Sequence, residues 1–278
     1  MSNDKPIKLI YIIGMSFSGS TLLGFLLGSG KEVENLGQLK TFSRRQISRT
    51  CTCGDAPLVC SLWGKYYDGN YQTFDKPSVF AKIRMISNIL LKKKEGVKQL
   101  TDTPDLTFLK AIHDDIQSFN SQINYLVDTS NSIWRLAYLL QCQGIELKVI
   151  YLKREVNSNI VSFMKRNRLL GFWRGIFTYK IKHYLISKFL AINQVPNVSV
   201  SYEEICAIPQ KTLSRIGIFL NINYDNFSTH IRQRQYHVIG GNRDTSKQFR
   251  DGFQGVENKN VPKEKFNSLQ SFILKYFG

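Results

Sequence analysis

Short runs of apolar, β-branched residues recur along the 278-residue chain and predict buried strands. The first run, at 8–14, reads Lys-Leu-Ile-Tyr-Ile-Ile-Gly and ends on a glycine. Continuous apolar runs of this length are typical of strands buried on both faces of a parallel sheet. Runs at 124–128, 146–153 and 198–202 have the same character and predict three further strands.

Segments with helical periodicity separate these strands, at 21–28, 79–91, 106–120, 133–141 and 155–166. The alternation predicts an α/β fold, a parallel β-sheet flanked by helices on both faces, with a P-loop-like strand–loop–helix at the N-terminus. We expect one domain over 1–278. Within it, 31–105 is expected to be an irregular covering region, and 221–278 a polar loop followed by a last helix that Pro262 opens.

The composition indicates a folded, basic protein. Lys and Arg number 38 against 21 Asp and Glu, which gives a net charge of +17, and hydrophobic residues make up 42%. This mixture excludes a disordered chain, and no apolar run reaches the ~18 residues of a membrane span. The polar start does not look like a secretory signal, so we expect a cytoplasmic location. The charge suits an anionic partner, although it would also serve solubility alone.

The loop after the first predicted strand carries the spacing of a phosphate-binding loop. Gly14 and Gly19 are separated by four residues, but Ser20 stands where the P-loop lysine would be. Backbone N–H groups and a helix N-terminus can still bind an anion here. Since the lysine and an obvious magnesium-holding carboxylate are missing, an ATPase is not favoured. The alternative is a tight turn in which a serine caps the helix.

Residues 18–23, Ser-Gly-Ser-Thr-Leu-Leu, resemble the 5′-phosphosulfate loop of sulfotransferases that use 3′-phosphoadenosine 5′-phosphosulfate (PAPS). The second signature of that family is an arginine that ends a strand, followed eight residues later by a serine on the next helix. Arg154 and Ser162 match it in the expected order. In the family, these two residues hold the 3′-phosphate.

Five further stretches resemble the bacterial branch of this family, at 36–39, 51–63, 127–130, 200–205 and 237–243. The resemblance covers about residues 8 to 250. It implies a PAPS-dependent sulfotransferase that releases PAP and needs no metal. The nucleotide-binding residues that it implies are Phe17, Ser18, Gly19, Ser20, Thr21, Leu22, Arg154, Ser162, Tyr202, Gly241, Asn242, Arg243 and Lys247. Among them, Arg243 and Lys247 are expected at the 3′-phosphate, and Tyr202 near the adenine.

Three positions depart from the family pattern by losing a charge. Phe17 replaces a basic residue, Gln38 replaces a glutamate that is a candidate general base, and Asn131 replaces a lysine. Gln38 is therefore expected near the acceptor without acting as a base. Asp128, at the end of a central strand, is our first candidate base, although it could instead cap a helix. His237 is the second, and a nitrogen acceptor would need no strong base.

Cys51, Cys53 and Cys60 form a local cluster of thiols. The single residue between the first two is shorter than the usual spacing of a zinc finger, and no fourth ligand can be identified from the sequence. The sequence therefore favours structural packing or a labile disulfide over zinc.

The acceptor is expected to be a small molecule or a carbohydrate that presents a hydroxyl or a nitrogen, docked on 66–120 and 168–190. The rival interpretation is a basic nucleic-acid-binding protein, because 170–189 interleaves basic and aromatic residues. The same stretch could be an amphipathic helix that touches a membrane surface. A third alternative is a non-catalytic nucleotide-binding relative.

Overall fold

Five parallel strands form the sheet of the computed structural model, which describes residues 5–42, 50–67, 77–94, 100–101, 103–165, 171–256 and 266–277. The strands are β1 (Ile7–Gly14), β2 (Val33–Gly37), β3 (Tyr125–Asp128), β4 (Ile145–Lys153) and β5 (Asn197–Ser201). Their spatial order is β2-β3-β1-β4-β5, and every pairing is parallel.

Helices fill most of the remaining described chain. They are α1 (Ser20–Leu27), α2 (Val79–Leu90), α3 (Pro104–Phe119), α4 (Ile133–Leu139), α5 (Val156–Met164), α6 (Gly171–Ile192), α7 (Tyr202–Ala207), α8 (Pro209–Leu220), α9 (Phe227–Gln233), α10 (Arg243–Arg250) and α11 (Ser268–Phe277). None of these described helices combines the length and the apolar character that crossing a bilayer requires.

Side chains of β1 alternate between two hydrophobic cores, one on each face of the sheet. Leu9 and Tyr11 join the core formed with α3, α4 and α6, whereas Ile10 and Ile12 join the core formed with α1, α8, α9 and α10. The period of two arises because successive side chains of a strand point to opposite faces. The predicted α/β class, with helices on both faces of a parallel sheet, is confirmed.

The edge strand β2 lies in the region that the sequence predicted to be irregular. Its interior residues Glu34 and Asn35 are polar yet buried, so no apolar run marks the strand. Burial is tolerated because Glu34 pairs with Arg234, while the Asn35 side-chain oxygen accepts from the Gly37 N–H at 3.1 Å. The segment 227–250 also holds two helices where a loop was expected. The predicted helix start at Pro262 lies outside the described residues.

The strand order reverses at β1, which lies between β3 and β4. In open parallel sheets, the connections leave such a strand in opposite directions and create a crevice at the carboxyl ends. Here β1 ends at Gly14, β3 at Asp128 and β4 at Lys153. The glycine-serine loop, the turn after β3 and Arg154 therefore meet at one edge of the sheet.

A buried ion triad stands beneath this edge. The Arg135 guanidinium on α4 contacts Asp128 at 2.6 Å and Asp105 on α3 at 2.5 Å, and all three side chains are fully buried. The other oxygen of Asp128 accepts from the Ser130 N–H at 2.8 Å. Asp128 thus has its partners inside the protein, and its charge serves to neutralise Arg135.

We expect Asp128→Asn to lower the free energy of unfolding by about 3–5 kcal/mol, because removing one partner leaves a buried charge under-compensated. Urea denaturation checks this, with Asp251→Asn as the matched control. Asp251 pairs with Arg250 at 3.1 Å but is half exposed, so its loss should cost about 1 kcal/mol or less. Equal losses in the two variants would contradict a structural role for the buried triad.

Candidate anion-binding site

A cleft of about 400 Å³ opens at the carboxyl edge of the sheet, where the strand order reverses. The predicted residues that line it are Phe17, Gly19, Ser20, Thr21, Leu22, Gln38, Arg154, Ser162, Tyr202, Gly241 and Asn242. Further lining comes from Ser16, Lys40, Asn131, Thr245, Gln248, Phe253 and Gly255. Most of the residues that the sequence singled out therefore meet in one cavity.

The glycine-serine loop presents the N-terminus of α1 to this cleft. Gly19 has φ 92° and caps the helix, and the first intrahelical bond runs from the Leu23 N–H to the Gly19 carbonyl at 3.0 Å. The N–H groups of residues 20–22 precede that bond and have no acceptor within the helix. Because these three residues line the cleft, their N–H groups can bind an anion there.

Gly19 is tightly enclosed by Tyr202. A Cβ atom at Gly19 would lie 2.5 Å from Cδ2 of Tyr202, and the positive φ also disfavours a side chain. Ser18, in contrast, does not line the cleft. It is only 1% exposed, and its Oγ has no hydrogen-bond partner among the described residues. The predicted contact of the Ser18 hydroxyl with a ligand therefore stays a prediction.

Asn131 fixes the beginning of the loop. Its Oδ1 accepts from the Gly14 N–H at 2.6 Å, and its Nδ2 donates to the Met15 carbonyl at 2.6 Å. Asn131 itself has φ 56°, a conformation that asparagine tolerates better than most residues. The sequence showed only the loss of a family lysine at this position, whereas the amide holds the strand and the loop together.

Arg154 and Ser162 face the same cleft from β4 and α5. The Arg154 guanidinium donates to the Phe17 carbonyl at 2.7 Å and lies 4.2 Å from the centroid of the Tyr202 ring. Ser162 donates to the Ser158 carbonyl one turn earlier, at 3.0 Å. The Arg154 carbonyl accepts from the Tyr179 hydroxyl of α6 at 2.9 Å. Contacts at both its ends therefore position the arginine.

The lining of the cleft is basic and, among the described residues, includes no aspartate or glutamate. Lys40 lines it as well as Arg154, and burial lowers the pKa of Lys40 from its ordinary value. Lys182 on α6 donates to the Asn131 carbonyl at 3.3 Å. Burial, together with the charge of Lys40, lowers the pKa of Lys182 to about 7. Sequence reasoning missed both lysines because neither lies in a motif.

The segment that follows α9 closes one side of the cleft. Ile239 forms a parallel bridge with Gly37 and accepts from the Gln38 N–H at 3.0 Å. The Asn242 N–H donates to Oγ1 of Thr21 at 2.9 Å. A Cβ atom at Gly241 would lie 2.7 Å from the same oxygen, so only glycine fits there. The predicted proximity of residues 241–242 to the loop agrees with this geometry.

Arg243 and Lys247 lie in a neighbouring cavity of about 350 Å³ and do not line the cleft. The reason is the phase of α10. Residues 245 and 248 of that helix face the cleft, while 243, 247 and 250 face the other cavity. The chain is helical where the sequence suggested a loop, and the contact of Arg243 and Lys247 with a 3′-phosphate stays a prediction.

Both predicted bases also lie outside the cleft lining. Asp128 is fully buried against Arg135, and His237 places Nδ1 3.2 Å from the Cys60 sulfur. No carboxylate or imidazole lines the described part of the cleft. Each side chain is held by protein partners, and the role of either residue as the base stays a prediction.

No family model and no curated protein matches the sequence. Among solved structures, the chain is similar to the sulfotransferase domain from the curacin biosynthetic pathway. The identity is 17%, the TM-score is 0.51, and the alignment covers 98% of this chain and 97% of that domain. The chain therefore has the fold of a sulfotransferase, as the resemblance implied.

Two further similar structures have lower TM-scores. The sulfotransferase domain from the Synechococcus PCC 7002 olefin synthase gives 16% identity and a TM-score of 0.44, over 99% of this chain and 96% of that one. Sulfotransferase STF9 from Mycobacterium avium gives 14% identity and a TM-score of 0.45, over 83% and 68%.

We expect Gly19→Ala to abolish binding of adenosine 3′,5′-bisphosphate, because the new Cβ displaces Tyr202 and reshapes the anion-binding turn. Isothermal titration calorimetry measures the affinity. Gly144→Ala is the matched control, since Gly144 has φ 85° and its nearest neighbour, Leu106, is 3.6 Å away. Both variants carry the strain of a positive φ, but only Gly19→Ala creates a clash. Unchanged affinity in a folded Gly19→Ala protein would refute this account of the loop.

Proposed function

We propose that this chain is a sulfotransferase that moves a sulfuryl group from PAPS to a small-molecule or carbohydrate acceptor. The observation that carries the proposal is the meeting of three features in one cleft free of acidic residues among those described. They are the unpaired N-terminus of α1, Arg154 with Ser162, and the closing segment at 241–242. Such a cleft suits a ligand with two separate phosphate-type groups.

In this proposal, the N–H groups of residues 20–22 and the hydroxyls of Ser20 and Thr21 hold the 5′-phosphosulfate. Arg154 and Ser162 hold the 3′-phosphate. Tyr202 acts mainly by positioning, because its ring packs against Gly19 and under the Arg154 guanidinium. In this arrangement Tyr202 would be near the adenine, as the family resemblance implies.

The chemistry that these residues support is in-line transfer. The bond between sulfur and the bridging oxygen of PAPS breaks, a bond from the acceptor to sulfur forms, and PAP leaves. Negative charge grows on the leaving oxygen and is stabilised by fixed dipoles and cations. We assign the cationic part of this task to Lys40, which lines the same cleft as Phe17, the residue that replaces the basic residue of the family.

The proton of the acceptor has no carboxylate or imidazole to receive it among the described lining residues. The proposal therefore favours a positional mechanism. Its acceptor is a nitrogen whose lone pair attacks first, or a hydroxyl that loses its proton to solvent. Gln38 lines the cleft and is expected to orient the acceptor without taking the proton.

Exposed aromatic side chains on two contacting helices support an acceptor with an apolar part. Phe80 on α2 and Trp173 and Phe177 on α6 are exposed, and these two helices are in contact. The nucleic-acid alternative is an outcome of the test below, because exposed rings on this basic stretch could also stack on bases.

The direct test is incubation of the protein with labelled PAPS and an extract of the source cells, followed by mass analysis for products that gain one sulfonate. Arg154→Ala should lose at least about 90% of the labelled product, since one charged hydrogen bond contributes about 1.5–3 kcal/mol. Transfer of label that does not depend on this protein, or salt-steep binding of RNA without bisphosphate binding, would overturn the proposal.

Two ligands isolate the role assigned to Arg154. We expect Arg154→Ala to weaken adenosine 3′,5′-bisphosphate by about 10- to 150-fold. The same change should alter the affinity of adenosine 5′-phosphate, which lacks the 3′-phosphate, by less than about threefold. Calorimetry on both ligands gives the difference. Equal losses would show that Arg154 acts on the loop through the Phe17 carbonyl rather than on the 3′-phosphate.

Binding of the bisphosphate should take up protons above pH 7. Lys182 has a pKa of about 7 in the free protein, and a nearby anion raises it. The contribution of Lys182 to the affinity should therefore be constant below pH 7. The affinity should fall as the pH rises from 7 towards 9. The phosphate groups have a second pKa of about 6, so their ionisation changes little between pH 7 and 9.

Calorimetry at pH 8 in buffers of different ionisation enthalpy measures this uptake. We expect up to one proton per site, lost in Lys182→Met and kept in Lys188→Met, whose lysine is exposed on the same helix. Absence of uptake in the unmodified protein would rule out linkage between Lys182 and the anion.

A further inference from the structure

We propose that Cys51, Cys53, Cys60 and His237 form a structural zinc site. The three sulfurs and one imidazole nitrogen all lie within 4.8 Å of one another, although His237 is 177 residues from Cys60 in the chain. Three thiolates and one imidazole are a common ligand set of structural zinc. The cluster lies outside the cleft lining, so the inference does not depend on the proposed sulfotransferase activity.

The distances fit a tetrahedron. Cys60 places its sulfur 3.7 Å from that of Cys51, 3.6 Å from that of Cys53 and 3.2 Å from Nδ1 of His237. A tetrahedral zinc, with about 2.3 Å to sulfur and about 2.0 Å to nitrogen, separates its ligand atoms by about 3.5–3.8 Å. Shifts of about 1 Å or less bring all four atoms onto such a metal.

A disulfide explains the cluster less well. All five cysteines of the chain are free thiols, and a bond between any two of the three clustered sulfurs would leave the third without a partner. It would also leave the imidazole unexplained. Cys51 and Cys60 are 1% and 2% exposed, whereas Cys53 and His237 are partly exposed, so two of the four ligands are fully buried.

The segment that carries the thiols is folded to bring them together. The Gly54 N–H donates to the Cys51 carbonyl at 3.0 Å, and the Cys51 N–H donates to the Asp55 carbonyl at 2.8 Å. Gly54 has φ 105°, which permits this tight reversal. The turn compensates for the short spacing between Cys51 and Cys53 that had argued against zinc in the sequence.

Hydrogen bonds from Thr52 and Trp63 fix the backbone on both sides of His237. The Thr52 hydroxyl donates to the Tyr236 carbonyl at 2.6 Å and accepts from the Val238 N–H at 2.8 Å. The Trp63 indole N–H donates to the His237 carbonyl at 2.5 Å. These three contacts come from the thiol-bearing segment itself. They aim the imidazole at the thiols, as outer contacts orient ligands in metal sites.

The site would tie the thiol segment to one wall of the cleft. His237 precedes Ile239, which bridges to Gly37, and Gly241, which packs on Thr21. Zinc at this point would fix the segment that closes over the anion-binding loop. This consequence rests on the proposed function, whereas the presence of the metal does not.

The test is the zinc content of the full-length protein, purified without chelators and measured by elemental mass spectrometry. We expect one zinc per chain, lost in Cys60→Ser and in His237→Ala. Cys206→Ser is the matched control, since Cys206 lies outside the cluster, and it should keep the metal. Unmodified protein without metal that also fails to take up added Zn²⁺, or an intact mass two hydrogens short because of a disulfide, would overturn the proposal.

Cobalt substitution keeps the test decisive if the ligand variants fail to fold. Co²⁺ added to zinc-depleted full-length protein should give the intense visible bands of tetrahedral cobalt and a thiolate charge-transfer band at one equivalent. Weak octahedral spectra would contradict the site.

Bisphosphate titrations of the zinc-loaded and zinc-depleted protein then measure the coupling between the metal and nucleotide binding. Metal binding without an effect on the nucleotide would leave the site standing and remove only its link to the cleft.

Discussion

The turn that follows β3 is the constraint on which the cleft depends. Asn131, within this turn, bonds to both Gly14 and Met15 and so sets where the glycine-serine loop leaves the sheet. Ser130 accepts from the Lys40 N–H at 2.8 Å and so places the lysine at the cleft. The Ser130 N–H of this turn donates to Asp128, and Asp128 forms an ion pair with buried Arg135. A structural ion triad therefore determines the geometry of a site that it does not enter.

The long helix α6 connects the two ends of this site. Tyr179 bonds to the Arg154 carbonyl, and Lys182, nearly one turn further along, bonds to the Asn131 carbonyl. A small displacement of α6 would therefore move both the guanidinium and the turn that holds the loop.

The elements that sequence predicted well are those with strong local signals. The apolar strands appear within one or two residues of their predicted bounds, and the order of the loop, Arg154 and Ser162 identified residues that meet in space. The sequence was less informative where a residue depends on a distant partner. In the sequence, Asp128 looks like an available carboxylate, but the structure pairs it with buried Arg135. The polar residues of β2 suggest a loop, but Glu34 can be buried in a strand because it pairs with remote Arg234.

Other features that the sequence did not reveal follow from helical phase and from chain separation. Arg243 and Lys247 sit in the right segment, but α10 turns them away from the cleft and presents Thr245 instead. The partner of the three thiols, His237, could not be chosen from four histidines without the contacts of Thr52 and Trp63. No periodicity or spacing in a single sequence encodes such a long-range pairing.

The three neutral positions at 17, 38 and 131 look in the sequence like a loss of function, but the structure supports a different interpretation. Positive charge is supplied to the same region from other elements, by Lys40 in the turn after β2 and by Lys182 on α6. Burial lowers the pKa of each of these two amines. Under the proposed function, an anion in the cleft would raise the pKa of Lys182 again and so favour its charged form. Without the anion, the site would avoid part of the desolvation cost of two adjacent cations, and anion binding would provide the free energy that charges Lys182.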